Sequence, residues 1–189
     1  MARSFVVSLM LAGSFATYVL AAAPEPPGLW NGPMHGETPG SLTGGTVVQT
    51  DAVAQLKDSI HPIFLDVAEL DKKPTESSNS ALFTPTHLSI RGAVWLPGAG
   101  SGTADPAFAQ AFEARVLALT AANLDQPIVV FCHPRCWDGW NAAKRLAGLG
   151  YRHVFWYPQG VEGWQTMYAT EMVKADAGWL SPVRAGNSE

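Results

Sequence analysis

The sequence predicts an α/β domain in which a mainly parallel sheet is flanked by helices. Two patterns carry that expectation. Candidate strands such as residues 128–131 (IVVF) and 154–157 (VFWY) are continuously apolar, as strands buried on both faces must be. Helix-compatible stretches alternate with them, and that alternation builds layered α/β domains. In such sheets ligands sit at the carboxyl ends of strands. Cys132 follows one such end.

The elements follow in chain order. Met1 to Ser4 carries one positive charge, Phe5 to Leu20 is uncharged and apolar, and Ala21-Ala22-Ala23 supplies small residues. That layout reads as a signal peptide over residues 1–23. The apolar run is shorter than the roughly 20 residues of a spanning helix, so stable membrane insertion is not expected. Residues 24–45, rich in proline and glycine, read as an extended arm that Leu29, Trp30 and Met34 pin to the domain surface. The domain proper is expected over residues 46–168, with a tail at 169–189.

Within it, Thr46 to Val48 is a short strand candidate, and Thr50 or Asp51 can cap a helix through about Lys57. Ile63 to Val67 is a buried-strand pattern. Glu69 to Ser89 is polar and reads as an exposed loop, and Arg91 to Pro97 as a strand closed by proline. Asp105 with Pro106 behind it marks a helix start. Phe108, Phe112, Val116 and Leu119 then recur at helical spacing. The strand 128–131 and the cysteine turn come next. A helix over 138–148 is ended by Gly150, and the strand 154–157 leads into a closing turn.

Composition excludes some functions. A net charge of -4 with 15% charged residues leaves no basic stripe for nucleic acid. The chain has only two cysteines, Cys132 and Cys136, in the stretch VVFCHPRCWDGW. An exported chain permits a persistent disulfide, yet closing so small a ring removes little entropy from the unfolded chain. Proximity therefore favours reversible chemistry. Backbone N–H groups at the start of the following helix stabilise anions and lower a thiol's pKa. His133 and Arg135 add charge nearby. These patterns predict a thiolate at Cys132 formed below the roughly 8.5 of an ordinary cysteine. Asp138 reads as the helix N-cap, Asp66 as structural, and Trp137 and Trp140 as packing. His35, His61, His87 and His153 show no metal-ligand spacing, and no metal site is assigned.

The strand ending in Cys132, the turn HPRCWD, and the helix bearing Ala142-Ala143 and Leu146 resemble the active-site region of rhodanese domains. So do the early strand FLDV at 64–67, IRGAV at 90–94, and Gly160 with Gly163-Trp164. More narrowly, SLTGGTVV, IRGAVWLPGAG, WNAAKR and GYRHVFWYPQGVEGW resemble the exported PQQ-dependent catabolism-associated CXXCW motif proteins. The resemblance implies a single rhodanese-like domain with Cys132 as nucleophile, and His133, Arg135 and Trp137 in the substrate loop. Rhodanese loops carry glycine three positions after the nucleophile and often arginine five after it; here Arg135 and Trp137 stand there. Only modest activity on thiosulfate is expected.

Two classes of function follow. One is sulfur transfer or thiol–disulfide exchange through Cys132, with Cys136 resolving, on a small sulfur compound or as a carrier serving one protein partner. The other is a non-catalytic partner-binding module with a structural Cys132–Cys136 disulfide. Haem attachment fits poorly, because His133 precedes the second cysteine. The resemblance further implies a periplasmic setting, with a PQQ-dependent dehydrogenase or a c-type cytochrome as partner. The quinone would be that neighbour's, and no cofactor is assigned to this chain.

Overall fold

The computed structural model describes residues 22–70, 85–103 and 105–180. Most of the expected signal peptide lies outside the described residues. Among those described, no helix is long and apolar enough to cross a membrane.

Five strands form one parallel sheet: β1 (Thr46–Val47), β2 (Ile63–Asp66), β4 (Val94–Trp95), β5 (Ile128–Phe131) and β6 (Val154–Tyr157), in the order β1-β6-β5-β2-β4. Strand β5 is central, flanked by β2 and β6, and all four of its residues are buried. Full burial of such side chains contributes about 1.5–3 kcal/mol each. That outweighs the backbone ordering cost of about 1–2 kcal/mol per residue.

The pleat divides the core in two. Ile128, Val130 and Cys132 pack with Trp156 and Leu65 among residues of α2 (Pro106–Thr120) and α3 (Trp137–Gly148). Val129 and Phe131 pack on the other face with Phe64 and Tyr157, against α1 (Thr50–Ser59) and α4 (Gly160–Gln165). Alternation along a strand sends successive side chains to opposite faces. It therefore turns the Cys132 sulfur toward α3.

Helix ends explain the connections. Asp105 accepts the Ala107 N–H at 2.9 Å, with Pro106 at the first helical position. Gly150 has φ +90; its N–H bonds the Ala147 carbonyl and that of Tyr151 the Leu146 carbonyl, closing α3 in a Schellman turn. Neither Thr50 nor Asp51 caps α1. Gln49 holds that position without a side-chain bond, and the Thr50 hydroxyl lies 2.7 Å from that of Tyr157.

Three expectations change. The expected loop 69–89 ends in a strand, β3 (Thr86–Ile90), while residues 71–84 lie outside the described residues. The expected strand 91–97 shrinks to β4, because Arg91-Gly92 turns with Gly92 at φ +81. The expected tail opens as β7 (Thr170–Lys174), antiparallel to β3 in a second small sheet. Beyond it Trp179 is fully buried, its indole N–H on the Pro97 carbonyl at 2.9 Å. Short strands of mixed polarity carry no apolar run to announce them. Their pairing is settled by a partner far along the chain.

Candidate active site

Cys132 leaves the carboxyl end of β5, and residues 133–136 curl back into α3. Arg135 takes φ +56 in that curl. The Cys132 carbonyl accepts the Val161 N–H at 3.0 Å, and Gly160 (φ +58) lies so close that a Cβ there would sit 2.3 Å from that oxygen. The Cys132 sulfur accepts the Gly139 N–H of α3 at 3.2 Å. A Cβ on Gly139 would stand 3.3 Å from the sulfur and 3.2 Å from the Trp156 indole nitrogen. Glycine at 139 thus lets the helix amide reach the sulfur.

Cys136 is the residue that caps α3 by position, with extended backbone and no side-chain cap bond. The expectation of Asp138 as N-cap is corrected accordingly: Asp138 is inside the first turn. Its Oδ2 accepts from the Cys136 thiol at 3.2 Å. Both cysteines are unbridged thiols, and both are buried.

The arm lies over the second half of this turn and the start of α3. Trp30 stacks on Trp137 with ring centroids 4.4 Å apart, and Trp137 meets Trp140 edge-on at 5.5 Å. The Trp137 N–H donates to the Met34 carbonyl and the Gly36 N–H to the Arg135 carbonyl, both at 2.8 Å. His35 and Cys136 are thereby paired as a short antiparallel bridge. Asn141 fixes the start of the arm, accepting the Trp30 N–H and donating to its carbonyl, each at 2.8 Å.

Burial of Cys132 overturns one expectation. The Cys132 pKa lies well above, not below, that of an ordinary thiol. Burial is the largest cause, followed by the contact with the Cys136 thiol and the nearby Asp138 charge; the Gly139 N–H opposes them. Desolvation penalises the thiolate more than one amide stabilises it.

The three expected substrate-loop residues are not brought to a common point. His133 Nδ1 lies 2.7 Å from Glu162 Oε1 on α4. Arg135 points outward and pairs with Glu37 of the arm at 3.0 Å, both side chains half exposed or more. Trp137 is packed beneath Trp30. Asp66 is fully buried and structural as expected: it accepts from the Ala68 N–H and the Ser89 hydroxyl.

Sequence reasoning missed two neighbours. His87 Nε2 lies 2.7 Å from Asp66 Oδ2, and its ring is 6.3 Å from that of His133. It reaches the strand ends through β3, so spacing within the chain holds no trace of it. Asp138 did leave a signal, a carboxylate two positions after the second cysteine. Its reading as a cap hid the thiol contact. Among the described residues, no group of three His, Cys, Asp or Glu side chains is placed to hold a metal ion.

The fold and this strand-to-helix turn bear on the relatives. No curated protein matches the chain significantly. Among solved structures, a thiosulfate sulfurtransferase from Pseudomonas aeruginosa aligns at 18% identity and TM-score 0.44, over 76% of this chain. The alignment spans only 25% of that enzyme. Saccharomyces cerevisiae Ygr203w, described as a homolog of single-domain rhodanese and the Cdc25 phosphatase catalytic domain, aligns at 16% identity and TM-score 0.43. That alignment covers 68% of this chain and 84% of the other. The Rhodanese-like domain family matches residues 50–167, from α1 through the cysteine turn and just past α4. With more than half of its length matched, the chain belongs to the rhodanese-like domain family.

Proposed function

We propose that this is an exported thiol protein that transfers sulfur or exchanges disulfides through Cys132, with Cys136 resolving the adduct. One observation carries the reading: two unbridged thiols share one turn, the first at the end of the central strand under a helix amide. In this reading, displacement of the arm admits water to the turn and eases the burial that raises the Cys132 pKa, while the Gly139 N–H stays on the sulfur. The Cys132 thiolate then attacks a sulfane sulfur. From thiosulfate it takes the outer sulfur as a persulfide and sulfite leaves. From a protein disulfide it takes one half and a thiolate leaves. Attack by Cys136 on Cys132 then expels hydrosulfide from the persulfide, or the remaining thiolate from the mixed disulfide. It leaves a Cys132–Cys136 disulfide that an external thiol reductant reopens before another turnover.

The test is a trapping experiment. Cys136→Ser should accumulate a persulfide or mixed disulfide on Cys132, read by mass spectrometry after thiosulfate or polysulfide, and Cys132→Ser should carry none. A second reading, a partner-binding module with a structural Cys132–Cys136 disulfide, has the burial of both sulfurs for it and their unbridged state in this structure against it. It predicts equal loss of stability from either substitution and no adduct.

The setting we propose is the periplasm, beside a PQQ-dependent dehydrogenase or a c-type cytochrome whose cysteines need thiol chemistry. Its support is the apolar amino terminus and the segments WNAAKR and WYPQGVEGW. Mature protein recovered from periplasm should begin near residue 22–24; intact Met1 on a cytoplasmic product would count against export.

A further inference from the structure

Asp138 stands in the first turn of α3, where a negative charge suits the helix dipole. Yet among the described residues it makes no capping bond or ion pair that accounts for its burial. Only 1% of it is exposed, and neither oxygen accepts a backbone N–H of α3 among the described contacts. Oδ1 has no hydrogen-bond partner among the described residues. Gly100 packs directly on the Asp138 backbone: a Cβ there would lie 2.2 Å from the Asp138 Cα and its carbonyl oxygen. A buried polar oxygen left unpaired costs about 1–3 kcal/mol. The polar atom that Asp138 does hold is the Cys136 sulfur.

We propose that Asp138 is the catalytic base for Cys136, taking the thiol proton through Oδ2 so that the resolving sulfur attacks as a thiolate. The assignment rests on the thiol-exchange reading above. The step balances. The Cys136 proton passes to Asp138, and a lone pair of Cys136 Sγ forms the bond to Cys132 Sγ. The bond from Cys132 Sγ to its outer sulfur breaks, and its electron pair leaves on that sulfur as hydrosulfide from a persulfide, or as a thiolate from a mixed disulfide. The two cysteines end as a disulfide, and the carboxyl returns its proton to solvent.

Electrostatics suit the task. Burial, the largest cause, lifts the Asp138 carboxyl to about 6. Glu69 pushes the same way, while the Cys136 bond, His35 of the arm and His133 of the turn pull it down. A base titrating near the working pH combines availability with proton affinity.

The test loads Cys132 with thionitrobenzoate as a mixed disulfide and follows release of the coloured thiolate by absorbance across pH 5–9. In the wild type, release should rise through an inflection near 6. In Asp138→Asn, which is nearly isosteric, release at pH 7 should fall about 100-fold, within the range of a general base, and the lower inflection should vanish. Packing alone would not move the pH profile. Normal loading with an unchanged rate and profile in Asp138→Asn would overturn the role of Asp138 and leave the thiol-exchange reading standing. No adduct on Cys132 of Cys136→Ser would remove both. Should Asp138→Asn fail to fold, the wild-type profile decides: release that follows only a thiol titration near 8.5, roughly the free cysteine value, refutes the assignment.

Discussion

Trp30, from the amino-terminal arm, lies stacked on Trp137 in the first turn of α3, with centroids 4.4 Å apart and planes inclined by 15°. The arm residues 34–36 pair with 135–137 beside that stack. The arm pairs directly with Cys136, and access to the thiols of the turn is expected to depend on how firmly it is held. An aromatic stack contributes about 0.5–1.5 kcal/mol beyond its buried area, and about 1.4 kcal/mol is a tenfold change in an equilibrium. Trp30→Ala should speed alkylation of Cys132 by iodoacetamide about tenfold, followed by intact-mass spectrometry. An unchanged rate would mean that the arm does not gate the thiols.

Gly160 should tolerate no side chain. Its φ of +58 is a conformation that costs an L-residue about 1–2 kcal/mol. An added Cβ would also meet the Cys132 carbonyl at 2.3 Å. Gly160→Ala should destabilise the domain by at least about 2 kcal/mol and loosen the Val161 N–H bond that holds the end of β5. Urea denaturation checks the first effect, and amide hydrogen exchange at Val161 the second. Wild-type stability in this variant would contradict the close approach.

Asp66 gathers the Ala68 N–H, the Ser89 hydroxyl and His87 around one buried carboxylate. Asp66→Ala leaves these groups without their acceptor, and each buried unpaired group costs about 1–3 kcal/mol. A loss of about 3 kcal/mol or more is expected in chemical denaturation. In the folded fraction, adduct formation on Cys132 should persist. Normal stability with abolished adduct formation would instead give Asp66 a part in the chemistry.

What was legible in the sequence was local. The run Ile128–Phe131, the Asp105-Pro106 start and the Gly150 stop each specify their element within a few residues, and all three appear as expected. The non-local pieces were less visible. The pairing of β3 with β7 runs from Thr86–Lys174 to Ile90–Thr170 through residues of mixed polarity and burial, with no continuous apolar run in either strand. At the site, the sequence displayed the amides that would lower a thiol's pKa. It showed Trp30 and Met34 as anchors of the arm, but not that their anchorage is the cysteine turn itself. Cys132 is itself part of the core, and its desolvation reverses the sign of the expected shift.

The buried carboxyl of Asp138 also predicts how stability depends on pH. In the unfolded chain it titrates near its ordinary 3.8, and in the folded domain burial holds it at about 6. Between these values the folded state binds more protons than the unfolded state, so this group's contribution to stability falls as pH rises across the window. At 1.36 kcal/mol per unit, the loss is on the order of 3 kcal/mol, complete once pH exceeds about 6. Glu25 works the opposite way: its pKa, lowered to about 2, favours the folded state above its ordinary 4.5 and loses that effect as pH falls toward 2. The two windows barely overlap. Urea denaturation of the wild type and Asp138→Asn from pH 4 to 7 isolates Asp138, since Glu25 is common to both. The difference in unfolding free energy should shift toward the variant as pH rises and level off above about 6. Parallel curves across the whole range would show that Asp138 is not held protonated by burial. That result would also remove the electrostatic support for its role beside Cys136.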